Sequence, residues 1–121
     1  MDYIAQGASP TVANDAEKRR SPRKPMRQRV TIGTAVHGIV QGHSRDISAG
    51  GLSVMLPVAL ATNTLCAVRF ELMIDGRLVR FSGTGKVAHC SCSGMDGFRV
   101  GMQFQLDDPK LMSPLNRFLS I

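Results

Sequence analysis

Two alternating segments on either side of Asp75-Gly76 constrain the fold more than any other feature of this chain. Apolar residues occupy every second position from Val68 to Ile74, which is the period of a strand with one buried face. Asp-Gly is a dipeptide typical of two-residue hairpin turns. Folding the chain at this turn places apolar residues of the two segments opposite each other, Leu72 with Val79 and Phe70 with Phe81. This agreement of register predicts a β-hairpin.

Four more segments have strand patterns, so the sequence predicts six strands. The four are a strand that starts near Met26 and includes Val30 and Ile32, then Ile39–Ile47, Gly51–Leu56 and Phe98–Phe104. Gly83 and Gly85 fall inside the return strand of the hairpin, where glycine indicates a bend or a bulge. Short strands separated by glycine-containing turns are typical of small barrels. The predicted fold is all-β, a six-stranded antiparallel, Greek-key-like β-barrel with a short C-terminal helix.

The last residues of the chain predict that helix. Pro114 would interrupt a helix that began at Asp108, because proline lacks the N–H that an interior helical position donates. We therefore place the N-cap at Ser113 and the first helical residue at Pro114. The expected buried stripe is Leu115, Phe118 and Leu119.

Positive charge is concentrated near the N-terminus. The 121 residues carry a formal net charge of +6, and residues 18–29 contain seven bases and no acid. A chain of this length suits one domain. We expect a flexible tail over residues 1–16 and a single domain over residues 17–121. Within the domain we expect a mobile basic arm (17–25), a barrel (26–106) and a C-terminal turn and helix (107–121).

The sequence does not support a metal site, an enzyme or a membrane protein. Cys66, Cys90 and Cys92 are an odd number without zinc-site spacing, so we expect reduced thiols and no metal. The three histidines lack catalytic spacing with a nucleophile and an acid, so we expect no catalytic residues. No apolar run reaches the roughly 18 residues of a membrane span. Residues 1–16 lack a signal-peptide pattern, so we expect a cytoplasmic protein without membrane insertion.

Two short motifs carry the chemistry. Arg19 and Arg23 form R-x-x-x-R in the basic arm, and Asp46, Ser48 and Gly51 form D-x-S-x-x-G before the third strand. An arginine can bind phosphate oxygens, or the O6/N7 edge of guanine, through two hydrogen bonds. A carboxylate accepts hydrogen bonds from the N–H donors of the opposite guanine edge. Together the motifs predict a site for an anionic, guanine-bearing ligand.

Each motif also has a purely structural interpretation. The arginines can belong to a solvated basic tail. Aspartate and serine satisfy backbone N–H groups in turns, and glycine supplies a positive φ. Both interpretations can hold together for the second motif, because a rigid turn presents its side chains to a ligand.

In this order and at this separation, the two motifs resemble those of the PilZ domain, the bacterial receptor module for cyclic diguanylate (cyclic di-GMP). Gly97–Phe104 is similar to the family's last barrel strand, and the resemblance covers about Glu17–Leu119. It implies a sensor that binds cyclic di-GMP, uses no other cofactor and catalyses nothing. Many members have an aromatic or other large residue near the ligand on a late strand, where this chain has Lys86–His89. The ligand contacts implied are Lys18, Arg19, Arg20, Arg23, Asp46, Ser48 and Gly51.

The expected partners follow from the resemblance and from the extra bases. Lys18 and Arg20 flank the arginine motif and supply more cations than one ligand needs, so we expect two stacked ligand molecules per subunit. We also expect a protein effector, whose identity the sequence does not give. The alternative is a nucleic-acid-binding small β-barrel with a basic arm. Its aromatic residues are only Tyr3 and five Phe, mostly on apolar faces, so platforms for stacking bases are scarce.

Overall fold

The computed structural model describes residues 23–120. These residues form seven strands, two 3-10 turns and one α-helix. In this part of the chain, no helix has both the length and the apolar character needed to cross a membrane. The elements in chain order are β1 (Lys24–Pro25), β2 (Arg29–Thr34), β3 (Gly38–Ser48), β4 (Gly51–Leu56), β5 (Leu65–Ile74), β6 (Arg77–Cys92), a 3-10 turn (Gly94–Asp96), β7 (Phe98–Leu106), a 3-10 turn (Pro109–Leu111) and α1 (Met112–Ser120).

Six of these strands close into an antiparallel barrel. Their order around the barrel is β3, β2, β5, β6, β7 and β4, and the pairing of β4 with β3 closes the ring. The two-residue strand β1 pairs with the last part of β3. It lies along the same edge of β3 that pairs with β2 nearer the start of that strand. The predicted fold class is confirmed: an all-β, six-stranded barrel with one short C-terminal helix.

The predicted hairpin is confirmed in its register. Leu72 pairs with Val79, and Phe70 pairs with Phe81. The two turn residues, Asp75-Gly76, have φ values of 51° and 78°, and positive φ at both central positions is typical of a type I′ turn. The rings of Phe70 and Phe81 stack with their centroids 5.1 Å apart, and both side chains are buried. The hairpin therefore contributes an aromatic pair to the core.

A bend or a bulge was predicted at Gly83 and Gly85, and the register shift of β6 lies beyond these glycines. β5 and β6 pair without interruption through Gly83 and Gly85. The register of β6 shifts instead against β7, between Val87 and His89. A Cβ at Gly83 would lie 2.1 Å from the carbonyl oxygen of Gln105. Glycine at that position therefore permits the close approach of β7 and does not mark the bulge.

Helical structure begins earlier than predicted. Pro109–Leu111 already forms a 3-10 turn, and the Asp108 carboxylate caps it by accepting a hydrogen bond from the Lys110 N–H at 3.0 Å. The α-helix follows directly, and Pro114 is its third residue. The first backbone N–H groups of a helix have no helical partner, so a proline there removes no hydrogen bond. The predicted N-cap at Ser113 is therefore wrong.

Helix α1 is held on the barrel by its apolar stripe and by two polar contacts. Leu115 is fully buried, and the rest of the predicted stripe packs against the core. The guanidinium of Arg117 donates to the Asp75 carboxylate at 3.2 and 3.3 Å. The ammonium of Lys24 donates to the Phe118 carbonyl at 3.0 Å and lies 4.4 Å from the centre of that ring. The helix is thus fixed to the hairpin turn on one side and to β1 on the other.

Candidate functional site

A β-bulge in β3 turns Asp46 to the outer surface of the barrel. Ser44 and Asp46 pair with consecutive residues of β4, which makes Arg45 an extra residue. The side chain of Ser44 is buried, and in a strand of the same residues without a bulge the alternation would place Asp46 inside and Ile47 outside. With it, Ile47 is 0% exposed and Asp46 lies at the surface. The bulge therefore places the carboxylate of the second motif on the outer surface of the barrel.

The chain before β2 is fastened beside this carboxylate. β1 pairs with β3 at Asp46. The segment between β1 and β2 is bonded to β3 through the hydroxyl of Ser44. This hydroxyl donates to the Met26 carbonyl at 2.6 Å and accepts from the Gln28 N–H at 2.9 Å. Ser44 is 1% exposed, and its bond to the Met26 carbonyl is buried. This connection holds the backbone that carries Arg23 on the barrel.

Two arginines share the carboxylate of Asp46. Arg23 Nε donates to Oδ1 at 2.6 Å, and its Nη2 contacts the same oxygen. Arg99 of β7 approaches from the other side, with Nη2 3.6 Å from Oδ2. Its Nε donates to the hydroxyl of Ser53 on β4 at 3.1 Å. Two positive groups and one negative group leave one positive charge in excess on a partly exposed surface, which favours an anionic ligand.

A second bulge, in β6, brings His89 to the same surface. His89 pairs with Gly101 of β7 after the register shift that follows Val87. Asp46, Ser53, Gly101 and His89 are successive partners across β3, β4, β7 and β6, so they form one row. The imidazole covers Gly101, where a Cβ would lie 2.2 Å from Nε2. The two bulges therefore place polar side chains at the two ends of the row.

The surroundings of His89 lower its pKa from the usual value of 6.5. Partial burial disfavours the imidazolium, and the positive charges of Arg99 and Arg23 disfavour it further. An anion bound in the row would offset these charges and favour the protonated form. His89 is thus sensitive to whether an anion occupies the site.

The structure brings together one residue from each motif. Arg23 and Asp46 are 23 positions apart in sequence and are in contact. Ser48, in contrast, is 4% exposed and bonds within its own turn. Its hydroxyl accepts from the Gly50 N–H at 3.3 Å and donates to the Gly51 carbonyl at 3.4 Å. The predicted ligand residues Lys18, Arg19 and Arg20 lie outside the described residues, as do the tail over residues 1–16 and the start of the arm.

Gly51 allows two strands to approach each other. A Cβ at this position would lie 1.9 Å from the carbonyl oxygen of Met102 on β7. The described glycines with positive φ are at positions 38, 76, 94 and 97, so the interpretation that glycine supplies a positive φ in this turn is wrong. The glycine of the second motif is required for the packing of β4 on β7.

Sequence reasoning missed Arg99 and Ser53. Ser53 lies between the core residues Leu52 and Val54, so the alternation of β4 does place it on the outer face. No local pattern marks Arg99, because it reaches Asp46 only through the pairing of β4 with β7. The signal for this side of the site is therefore long-range strand pairing.

The row offers guanidinium, carboxylate, hydroxyl and imidazole groups, which suit hydrogen bonding to a planar, anionic molecule. Within residues 23–120, no group of three or more His, Cys, Asp and Glu residues could hold a metal ion. The three cysteines are free thiols, and burial raises the pKa of Cys66.

Known structures share this fold at low sequence identity. The inhibitor of motility MotI/DgrA from Bacillus subtilis superposes with a TM-score of 0.71 at 14% identity, covering 84% of this chain and 50% of that one. This chain therefore spans half the length of the Bacillus protein. The PilZ domain of YcgR from Escherichia coli, solved with c-di-GMP, gives a TM-score of 0.61 at 18% identity, with 85% and 89% covered. The complex of MrkH from K. pneumonia with c-di-GMP gives 0.61 at 16% identity, with 84% and 51% covered.

Comparison with family models gives the decisive match. No curated protein matches the chain. The model of the PilZ domain matches residues 17–120, which include both motifs, the whole barrel and α1. The chain therefore belongs to the PilZ domain family.

Proposed function

We propose that this domain is a non-catalytic receptor for cyclic di-GMP, which Arg23 and Asp46 hold on the outer face of the barrel. The contact between these two residues carries the proposal, because it joins the two motifs on one exposed surface. Membership of the PilZ family supports it, and the YcgR and MrkH structures each contain c-di-GMP. A protein effector would then read the ligand-bound state.

Asp46 can accept hydrogen bonds from a guanine while it stays paired with Arg23. Arg23 bonds to Oδ1, and Oδ2 is 3.6 Å from Arg99, which is longer than a hydrogen bond. A carboxylate has about four lone-pair sites, so Oδ2 is open to the N–H donors of guanine. The side chain of Arg23 is 45% exposed and has further donors for a phosphate or for the O6/N7 edge.

Arg19 can reach the far side of a ligand held at Arg23. It lies four residues earlier, and an extended chain spans about 3.5 Å per residue, or about 14 Å here. Ordering the arm costs roughly 1–2 kcal/mol per residue, which charge-assisted bonds to phosphate must offset. Amide exchange over Lys18–Arg23, which precede the paired strand β1, should therefore slow on ligand binding. Unchanged exchange would show that the arm takes no part.

Calorimetric titration with cyclic di-GMP tests the proposal. We expect a dissociation constant of about 1 μM or tighter and two ligand molecules per subunit, because Lys18 and Arg20 extend the clamp. GMP, GTP and cyclic di-AMP should bind much more weakly. Adenine has an amino donor where guanine has O6, so an arginine loses one acceptor. Comparable affinity for cyclic di-AMP would contradict this recognition scheme.

Arg23→Ala and Asp46→Ala should each weaken cyclic di-GMP binding by at least about tenfold, or 1.4 kcal/mol. Arg80→Ala and Glu71→Ala are matched controls. These two residues form an exposed ion pair at 3.1 Å on β6 and β5, and β5 is opposite β4 in the ring. A nucleic-acid-binding barrel would keep or gain affinity for polyanions when Asp46 is removed. Unchanged cyclic di-GMP affinity in a folded Asp46→Ala variant would exclude that carboxylate from the site.

A further inference from the structure

Arg99 enters the site from the side opposite the basic arm. Arg23 precedes β1, whereas Arg99 lies on β7, and the two guanidinium groups contact different oxygens of Asp46. Arg99 Nε donates to the Ser53 hydroxyl at 3.1 Å, and Ser53 is only 4% exposed. Ser53, a residue of the barrel, therefore orients Arg99.

Among residues 23–120, contacts of Arg99 use only a small part of its hydrogen-bonding capacity. A guanidinium has five N–H donors. One of them is used by Ser53, and the nearest carboxylate contact of the terminal nitrogens is 3.6 Å, beyond hydrogen-bond length. The side chain is 47% exposed. An oriented guanidinium with an accessible edge is suited to bind phosphate oxygens in pairs.

The charges around Arg99 also favour an anion. The carboxylate of Asp46 offsets only one of the two guanidinium groups that contact it. The excess positive charge is felt at His89, at the other end of the row, where it adds to the effect of burial on the pKa. A phosphate next to Arg99 would offset this excess.

We propose that Arg99 is a further arginine of the ligand site, which binds a phosphate of cyclic di-GMP from the β7 side, and that Ser53 is its positioning residue. This inference rests on the proposed function, because it names additional contacts of the same ligand. It means that part of the anion site is built into the barrel and is present before the arm engages the ligand.

Titration of Arg99 variants with cyclic di-GMP tests the first half of the inference. Arg99→Ala should weaken binding at least about tenfold. Arg99→Lys should lose less, because it keeps the charge but lacks the planar pair of donors. Arg80→Ala, which also removes one exposed arginine, should bind as the wild type does. Thermal unfolding checks each variant, and Arg99→Gln replaces the alanine variant if the latter is unstable.

A double-mutant cycle tests the second half. If Ser53 acts by orienting Arg99, Ser53→Ala should weaken binding several-fold in the wild type and have no further effect in the Arg99→Ala background. An equal effect in both backgrounds would show a merely structural role and overturn the assignment of Ser53. Wild-type affinity in folded Arg99→Ala would overturn the assignment of Arg99 and leave the proposed function standing. Absence of cyclic di-GMP binding by the wild-type protein would overturn the proposed function itself.

Discussion

Removal of the Ser44 hydroxyl tests how the chain that carries Arg23 is held on the barrel. This hydroxyl donates to the Met26 carbonyl and accepts from the Gln28 N–H, and its side chain is 1% exposed. Ser44→Ala removes the acceptor of the half-buried Gln28 N–H and the donor of the buried Met26 carbonyl, at a combined cost of about 1–3 kcal/mol. We therefore expect the free energy of unfolding to fall by about 2 kcal/mol.

Urea unfolding followed by circular dichroism measures this change. With a slope of about 2 kcal/mol per molar urea, the midpoint should fall by about 1 M, and the melting temperature should fall by roughly 10 °C. Ser82→Ala is the matched control, because Ser82 is an exposed serine of β6, and its effect should stay within about 0.5 kcal/mol. Cyclic di-GMP affinity should fall as well, because Arg23 loses its support. A Ser44→Ala variant as stable as the Ser82→Ala control would refute the reasoning.

Three further variants test the packing of β4 on β7, the pH dependence of stability and the attachment of α1, by substitution at Gly51, His89 and Lys24 respectively. Gly51→Ala places a Cβ 1.9 Å from a carbonyl oxygen of β7 and should lower the free energy of unfolding by about 3 kcal/mol. The control Gly50→Ala has open space around the new Cβ and should lower it by less than about 0.5 kcal/mol. Equal losses in the two variants would contradict the packing argument. Because the folded-state pKa of His89 lies below 6.5, the unfolded chain binds more protons, so stability should decline as pH falls through about 6.5. In urea unfolding His89→Gln should reduce that decline, and parallel pH profiles would exclude His89 as its source. Lys24→Met removes the ammonium from the Phe118 carbonyl and should speed amide exchange in α1, whereas unchanged exchange would show that the contact does not hold the helix.

The barrel could be predicted where a local pattern fixes both the strands and the turn between them. Asp75-Gly76 specifies a tight turn, and the apolar alternation on each side then allows one register, which is the observed one. The bulges at Arg45 and Ala88 could not be predicted in this way. Each depends on which of two neighbouring side chains is buried in the core of the folded barrel. The start of α1 was missed for a local reason, because a 3-10 turn before Met112 places Pro114 where proline is tolerated.

The candidate site could be predicted only in part, for the same reason. Arg23 and Asp46 belong to short motifs with a recognisable chemistry, and they are in contact. Ser48 and Gly51 belong to the same motif, but their contacts serve the turn and the packing of β4 on β7. Arg99 joins the site across 46 positions of sequence, through its bond to Ser53. Its position depends on strand pairing that no short pattern contains.

The two bulges have a consequence for insertions and deletions in this chain. Ser44 and Asp46 pair with consecutive residues of β4, and Val87 and His89 pair with consecutive residues of β7. Deleting Arg45 or Ala88 would therefore leave a regular ladder in which Asp46 and His89 still face outward, and only the local bend and twist of the bulge would be lost. Inserting or deleting a residue in a regular part of β3 or β6 would instead exchange the two faces of the strand beyond that point. Each of these strands can thus change its length by one residue at its bulge without exchanging its outer surface with the core.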